Sequence, residues 1–124
     1  MRGYGGMTPL KRQRRFRRIY DVGCLPCLMR GWFSLCQVHH LNLGGKAGQK
    51  RLGDGATIGL CPWHHVGEPI NERTAEQCRE ELGPSLKHQS VKFREEFGTD
   101  EQLLARQNEL IARLECNVVG RVCQ

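Results

Sequence analysis

Two short stretches of this 124-residue sequence carry metal-binding side chains at a regular spacing. CLPC (24–27) and CPWH (61–64), here called the two zinc knuckles, each put two potential ligands three positions apart. Two ligands at this spacing can bind one ion from a tight turn, and two such turns complete the tetrahedral coordination of Zn²⁺. We therefore expect a structural Zn²⁺ site whose ligands are Cys24, Cys27, Cys61 and His64.

Two other interpretations of these cysteines stay open. A CxxC motif is also typical of a redox dithiol, in which Cys24 and Cys27 would form a thiol-disulfide centre. The βαβ pattern that accompanies a thioredoxin-like motif is missing from the sequence around it. The residues could instead be buried thiols beside an incidental histidine. A CxxC followed by a CxxH favours the metal site over both.

A second histidine directly follows His64, and another adjacent pair occurs at His39 and His40. Successive residues on a helix lie about 100° apart, so His64 and His65 cannot easily bind the same ion. His65 is therefore available for a second centre. If the strand that carries VHHL (38–41) pairs with the next strand, His39 and His40 come close to His65.

These histidines could together hydrolyse a phosphodiester bond. A divalent ion, Mg²⁺ or Mn²⁺, bound by His39 and His65 would neutralise the scissile phosphate, while His40 takes a proton from the attacking water. General-base assistance of this kind is typically worth about 10²–10⁴ in rate. Neighbouring strand residues point to opposite faces, so His39 and His40 converge only if the strand ends or twists there, and Asn42 and the following glycines favour an end. The simpler alternative is one buried and one exposed histidine.

Hydrophobic periodicity and turn residues predict the elements that hold these side chains. Pro62 is compatible with the first position of a helix, so CPWHH is expected at a strand-to-helix junction. The predicted elements of the N-terminal half are a basic helix from 11 to about 21, strands at 33–42 and 56–61 joined by a long glycine-rich loop, and a short helix from 62. They are followed by a helix from the capping box of Thr74 with Gln77 to Gly83, a helix at 84–97, and a last helix at 98–116 that Thr99 with Gln102 starts in the same way.

Positive charge is concentrated near the N-terminus. The net charge is +6, from 19 basic and 13 acidic residues, and KRQRRFRR (11–18) alone contains six basic residues, as many as the whole excess. Such a segment is typical of contact with nucleic-acid phosphates, although a solvated helix face has the same composition. The residues expected to contact DNA are Arg14, Arg15 and Arg18 in this segment and Lys46, Lys50 and Arg51 in the glycine-rich loop.

Composition narrows the class of protein. The content of 39% apolar residues fits a globular domain, and no stretch approaches the roughly 20 apolar residues that span a bilayer. The N-terminus has no apolar region of the signal-peptide type. We therefore expect a soluble intracellular protein with no membrane partner. In a reducing compartment, seven cysteines favour metal ligands or buried thiols over disulfides.

The order of these motifs resembles a known class of enzymes. CxxC, VHHL, a glycine-rich loop and LCPWHH, over about 22–67, are similar to the HNH endonucleases of the ββα-metal (His-Me finger) class. GLCPWHHVG and FREEFGTDEQLL extend the resemblance to the phage recombination-enhancement nucleases called Ref, whose cutting depends on a RecA filament. The resemblance implies DNA as the substrate, a RecA filament as a partner, and the cytoplasm of a bacterial host cell as the location.

The resemblance also implies a fold and residue roles. In the family pattern, the first histidine of the strand pair and a helix histidine bind the catalytic metal, and the second strand histidine is the general base. These positions fall on His39, His65 and His40. The expected fold class is α+β, a small ββα-metal core with a structural zinc knuckle pair, flanked by a basic N-terminal helix and C-terminal helices. The expected division is a flexible basic arm at 1–20 and a nuclease domain at 21–124.

The sequence departs from the general HNH pattern in the second strand, where Ala56 and Thr57 stand in place of the usual asparagine. Thr57 or Asp54 is then a candidate to orient His40. The second knuckle ends in His64 instead of cysteine, which is also a good zinc ligand. The leading hypothesis is a metal-dependent DNA endonuclease, and the alternative is a zinc-stabilised nucleic-acid-binding module without catalysis.

Overall fold

The computed structural model describes residues 7–42 and 53–118. Within these ranges the chain forms six helices and one two-stranded sheet, which confirms the expected α+β class. None of the helices in these ranges is long and apolar enough to cross a membrane. In chain order the elements are α1 (Pro9–Val22), α2 (Leu25–Met29), β1 (Gln37–His40), β2 (Thr57–Leu60), α3 (Pro62–Val66), α4 (Ala75–Leu82), α5 (Ser90–Phe97) and α6 (Asp100–Val118).

The two strands form an antiparallel hairpin with a long connection, as predicted. His39 lies opposite Ile58 and His40 lies opposite Thr57. Each strand has four residues and is shorter than the predicted range. The chain before β1 stays out of the sheet because the carbonyl oxygen of Ser34 accepts a hydrogen bond from the backbone N–H of Cys24, at 3.0 Å.

A glycine in β2 allows the end of α1 to pack directly on the hairpin. Ile19 of α1 is fully buried. A Cβ atom on Gly59 would lie 2.7 Å from the carbonyl oxygen of Gly23 and 2.8 Å from Sγ of Cys36. Because these separations are shorter than van der Waals contact, a larger residue at 59 would push the helix away from the sheet.

The junction between β2 and α3 has the predicted form. Pro62 occupies the first turn of the helix, where its missing N–H loses no helical hydrogen bond. The sulfur of Cys61 accepts a hydrogen bond from the backbone N–H of His64 at 3.4 Å and so caps the helix. Gly67 ends it in the left-handed region, with φ of 76°. His64 and His65 therefore lie within a single turn that starts directly after the buried strand.

The starts of α4 and α6 agree with the sequence prediction, and the start of α5 differs from it. Both predicted capping boxes form, and they start α4 and α6. The helix predicted at 84–97 is shorter, because α5 begins only at Ser90. The chain before α5 is held against α3, where the N–H of Leu86 donates to the carbonyl of His64 at 2.8 Å. The capping pairs are Thr74 with Gln77 and Thr99 with Gln102.

Two apolar clusters hold these elements together. One joins the hairpin to α5 and α6, and the other lies beneath α2, α3 and α4 and contains Trp63 together with most of the described cysteines. The larger cluster consists of Leu25, Leu41, Ala56, Ile58, Leu60, Phe93, Phe97, Leu103 and Leu104. The second consists of Cys24, Cys27, Cys61, Trp63, Cys78 and Leu82.

Candidate metal centres and catalytic histidines

Cys24, Cys27, Cys61 and His64 meet in one buried cluster. Their ligand atoms all lie within 4.8 Å of one another, and none of the four residues is more than 1% exposed. Nδ1 of His64 is 3.3 Å from Sγ of Cys24 and of Cys61, and 3.5 Å from Sγ of Cys27. The two knuckles therefore contribute to a single set of four ligands, as their spacing predicts.

The separations within the cluster fit tetrahedral coordination. With Zn–S bonds of about 2.3 Å and Zn–N bonds of about 2.0–2.1 Å, tetrahedral geometry puts two sulfurs about 3.8 Å apart and a sulfur about 3.6 Å from a nitrogen. Sγ of Cys27 and Sγ of Cys61 are 3.8 Å apart. Three thiols and one imidazole are a common donor set of structural zinc sites. The cluster could therefore bind a metal ion such as zinc.

The end of α4 fixes which nitrogen of His64 faces the cysteines. Nε2 of His64 lies 2.7 Å from the carbonyl oxygen of Leu82. A carbonyl oxygen can only accept, so Nε2 carries a proton and Nδ1 is the nitrogen that faces the sulfurs. The indole N–H of Trp63 donates to the carbonyl of Gly83 at 2.8 Å. The carbonyl of Leu82 thus orients the His64 ring in the way that hydrogen-bond partners of metal ligands do, and the carbonyl of Gly83 holds the neighbouring Trp63.

The electrostatics of the cluster favour a bound cation. Burial, followed by the neighbouring thiols, raises the pKa of Cys24. Hydrogen bonds from Cys24 and Cys27 lower the pKa of Cys61. Burial opposes protonation of His64, but the facing Cys27 and Cys61 outweigh it and raise its pKa to about 9. Three thiols packed this closely cannot all ionise without a positive partner, and a divalent ion would supply that charge.

A second pair of imidazoles lies between β1 and α3. Nδ1 of His39 is 3.2 Å from Nε2 of His65, and the ring centroids are 4.9 Å apart. Nδ1 of His65 is 2.9 Å from Oε1 of Gln37, which lies two residues before His39 and so on the same face of β1. When Nδ1–H of His65 donates to Gln37, the lone pair of Nε2 is directed towards His39.

The separation in this pair is compatible with a shared ion. Two nitrogens bound to one ion at about 2.0–2.2 Å are about 2.8–3.6 Å apart for coordination angles near 90–110°. Burial lowers the pKa of His65, although the nearby Cys61 opposes this. Imidazole binds metals in its neutral form, which this shift favours. His39 and His65 could therefore hold a divalent cation that also accepts oxygen ligands.

His40 is the last residue of β1 and makes its contacts elsewhere. Its Nε2 is 2.9 Å from Oδ1 of Asp54, and its ring meets Phe16 of α1 edge-on, with centroids 6.2 Å apart. β1 ends at His40, but the backbone N–H of Leu41 still donates to the carbonyl of Ala56 at 2.8 Å, so the pairing continues past His40 and the rings of His39 and His40 have different neighbours. Their convergence with His65 on one phosphate stays a prediction.

Asp54 is itself held in place. Oδ2 of Asp54 lies 3.5 Å from Nη1 of Arg12, and its backbone carbonyl accepts a hydrogen bond from Oγ1 of Thr57 at 2.7 Å. The hydrogen bond with His40, supported by Arg12, holds the pKa of Asp54 below its usual range, although partial burial opposes this. Of the two residues considered for orienting His40, Asp54 therefore contacts the ring, and Thr57 supports Asp54.

Arg15 connects three elements. Its Nε donates to Oγ1 of Thr57 at 2.8 Å, and its Nη2 donates to the carbonyl oxygen of the same residue at 2.7 Å. Its Nη1 donates to Oδ1 of Asn108 at 2.8 Å. Arg15 therefore links α1 to β2 and to α6, and its partner Thr57 in turn contacts Asp54.

Two further arginines of α1 also make internal ion pairs. Nη2 of Arg14 lies 2.8 Å from Oε1 of Glu115, and Nε of Arg18 lies 2.7 Å from Oε2 of the same carboxylate. These contacts fasten α1 to α6. Contact of the predicted basic residues with DNA stays a prediction, and three of them lie outside the described residues, namely Lys46, Lys50 and Arg51.

Three groups that orient the site were missed from the sequence. The spacing of Gln37 and His39 on one strand face could have identified Gln37 as a neighbour of whatever His39 contacts. The carbonyl of Leu82 has no sequence signal, since every residue carries a carbonyl. Arg15 is among the residues expected to contact DNA, but its guanidinium donates to Thr57 and Asn108, and a run of arginines does not reveal which of them points inwards.

Comparison with known protein families adds an independent finding. Residues 9–112 match the model of the family described as "Recombination enhancement, RecA-dependent nuclease". The match runs from the start of α1 into α6. It includes the four residues of the cysteine–histidine cluster, His39 and His65, and His40 with Asp54. No curated protein matches the chain.

Proposed function

Since the chain belongs to the family of recombination-enhancement, RecA-dependent nucleases, we propose that it is an HNH-type DNA endonuclease whose working site contains His39, His40 and His65. The substrate is a DNA phosphodiester bond, and the reaction is hydrolysis by water. The family match supports a nuclease. The metal dependence, the HNH type and the residue roles are inferences from the geometry of these side chains.

The observation that carries the proposal is the pair of imidazole nitrogens 3.2 Å apart, between a hairpin and the helix that follows it. In this arrangement His39 of β1 and His65 of α3 would bind the catalytic ion, while Gln37 orients His65. A bound Mg²⁺ or Mn²⁺ would neutralise charge on the phosphate and on the leaving oxygen. A hairpin and helix around such an ion are what the resemblance to ββα-metal nucleases implies.

His40 is the proposed general base. A water molecule loses a proton to the imidazole, its oxygen forms a bond to phosphorus, and the bond from phosphorus to the leaving oxygen breaks. The leaving oxygen then takes a proton from solvent. Asp54 stabilises the imidazolium that forms, since its carboxylate lies 2.9 Å from the ring. This assistance would be worth about 10²–10⁴ in rate.

The cluster of Cys24, Cys27, Cys61 and His64 is proposed to hold a structural Zn²⁺. All four side chains are buried, so they are poorly placed to meet a substrate. Structural zinc sites use a closed set of four protein ligands, which this cluster supplies. Its position under α3 would fix the helix that carries His65.

DNA and a RecA filament are the proposed partners. Charged side chains on α1 and in the glycine-rich loop would follow the phosphate backbone, a sequence-independent contact that salt weakens. A member of a phage recombination family would meet both partners in the cytoplasm of the bacterial host. Of the predicted DNA contacts, Arg14, Arg18, Lys46, Lys50 and Arg51 are proposed here, whereas Arg15 donates its hydrogen bonds to Thr57 and Asn108 within the protein.

The test uses the purified protein with supercoiled and single-stranded DNA, with and without RecA and ATP, in Mg²⁺, Mn²⁺ or Zn²⁺ alone. We expect cutting that requires a divalent ion and increases when the RecA filament is present. Binding of DNA without cutting under every condition would reject the endonuclease and support a zinc-stabilised nucleic-acid-binding module. Cutting that is unaffected by RecA would reject the filament as a partner and leave a general HNH nuclease.

A further inference from the structure

We infer that Asp54 is a positioning residue that fixes the tautomer of His40, so that Nδ1 and not Nε2 is the nitrogen that accepts the proton from water. The inference rests on the proposed function, in which His40 is the general base. It adds the identity of the basic atom and a role for a residue outside the HNH pattern.

The contact between the two side chains sets the position of the proton. Nε2 of His40 lies 2.9 Å from Oδ1 of Asp54. An ionised carboxylate can only accept hydrogen bonds, so Nε2 must be the donor. A neutral imidazole carries one N–H, and the lone pair is then on Nδ1. Nε2 of His40 cannot take a proton from water while it donates this hydrogen bond to Asp54.

The surroundings keep Asp54 ionised and oriented. Nη1 of Arg12 lies 3.5 Å from Oδ2, the oxygen that does not contact His40, so the carboxylate has a cation on one side and an imidazole N–H on the other. Thr57 donates to the backbone carbonyl of Asp54 at 2.7 Å, and Arg15 donates to Oγ1 of Thr57 at 2.8 Å. The backbone of Asp54 is thus held by a chain of hydrogen bonds that begins on α1, while Arg12 contacts the carboxylate directly.

The ring of His40 is also fixed by packing. Phe16 meets it edge-on at an interplanar angle of 86°, and the side chain of His40 is 30% exposed. A hydrogen bond on one nitrogen and an aromatic contact restrict the ring to one orientation. The carboxylate and Nδ1 then occupy opposite ends of the imidazole, an arrangement that favours proton uptake at the end away from Asp54.

The direct test is nuclear magnetic resonance of the zinc-loaded protein labelled with ¹⁵N-histidine, without added Mg²⁺ or Mn²⁺. The His40→Ala spectrum assigns the resonances. We expect His40 to be protonated at Nε2, with an N–H proton that is shifted downfield and protected from exchange. Protonation at Nδ1, or a His40 N–H that exchanges as fast in the native protein as in Asp54→Ala, would overturn the inference.

Kinetics provide the second readout. We expect Asp54→Ala to lower kcat by at least about tenfold, but by less than the roughly 10²–10⁴ that full loss of a general base costs, with little change in KM. Asp54→Glu should recover part of kcat, because it restores a carboxylate. The matched control is Asp21→Ala, which removes an ion-paired carboxylate from α1 outside the site and should cut at the native rate.

The two proposals fail in different ways. Full activity of His40→Ala would reject the general base of the proposed function, whatever the tautomer. An inactive His40→Ala together with an Nδ1-protonated ring would reject only the role of Asp54. The spectrum of the native protein decides the tautomer even if Asp54→Ala does not fold.

Discussion

His64 and His65 are neighbours in the chain, yet their imidazole rings belong to different sites. The His64 ring is completely buried, with Nδ1 3.3 Å from two cysteine sulfurs. The His65 ring is half-buried, with Nε2 3.2 Å from His39. A helical rotation of about 100° per residue produces this division, and it gives one turn of α3 a part in both candidate metal sites.

Replacement of a cluster ligand should remove the structural ion and unfold the protein. A structural Zn²⁺ contributes about 10–16 kcal/mol to folding in small zinc domains, as much as the whole stability of a typical domain. We expect Cys61→Ser to contain no stoichiometric zinc and to lack a cooperative thermal transition. Cys36→Ser, which removes a thiol outside the cluster, should retain one zinc per chain. Normal zinc content in Cys61→Ser would contradict the assignment.

Gln37 should control the affinity of the second metal site. Its carbonyl oxygen is 2.9 Å from Nδ1 of His65, and loss of such an outer-shell partner typically weakens metal binding by about 10–100-fold. Titration of Gln37→Ala with Mn²⁺, followed by electron paramagnetic resonance, should show this change with the zinc content intact. His65→Ala should lose the Mn²⁺ site altogether. Unchanged Mn²⁺ affinity in His65→Ala would rule out the pair as a metal site.

Arg15 should contribute to stability far more than its neighbour on the exposed face of α1. Hydrogen bonds that involve a charged group are each worth about 1.5–3 kcal/mol, and Arg15 donates three to Thr57 and Asn108. We expect Arg15→Ala to lower the free energy of unfolding by about 2–4 kcal/mol in denaturant titrations. Arg17→Ala should stay within about 0.5 kcal/mol of the native protein. Equal effects of the two substitutions would show that Arg15 is not an internal link.

Glu115 should make the docking of α1 sensitive to acid. Its hydrogen bond with Arg18, and then its contact with Arg14, lower the pKa of Glu115, although burial opposes this. A carboxyl group whose pKa is lowered by folding stabilises the protein above its unfolded pKa, about 4.3, and this contribution disappears as the pH falls through the folded pKa. Glu115→Gln should therefore melt at a lower temperature than the native protein at pH 7 and at a similar temperature near pH 3.

Exposed Glu80 of α4 provides the control for this experiment. Glu80→Gln should melt like the native protein at both pH values, and any loss of metal in acid would affect all three proteins alike. A difference between Glu115→Gln and the native protein that persists unchanged at pH 3 would mean that the carboxylate charge is not responsible.

The sequence predicted the features that depend on local spacing. The knuckles, the Pro62 start of α3 and the capping boxes at Thr74 and Thr99 each need only a few neighbouring residues, and all of them form as predicted. The features it did not predict depend on distant partners. The chain before α5 departs from a helix because Leu86 bonds to His64, and a run of arginines gives no sign that Arg15 reaches β2.

In the candidate site, too, the local features were predictable from the sequence and the contacts between distant residues were not. The histidines were recognisable because residue type and adjacency limit what they can do. The sequence indicates Asp54 only as one of two candidates for orienting His40. Its contact with the ring depends on the path of the sixteen-residue connection between His40 and Thr57. Pairing of strands fixes the register, but no local pattern fixes the direction of a loop carboxylate.

The most direct measurement is the rate at which His40→Ala cuts RecA-coated DNA in Mg²⁺ or Mn²⁺, compared with the native protein and with His88→Ala, a histidine outside both metal sites. We expect His40→Ala to keep its zinc and its thermal transition while cutting at least about 10²-fold more slowly, and His88→Ala to cut at the native rate. Cutting by His40→Ala at the native rate would contradict the account.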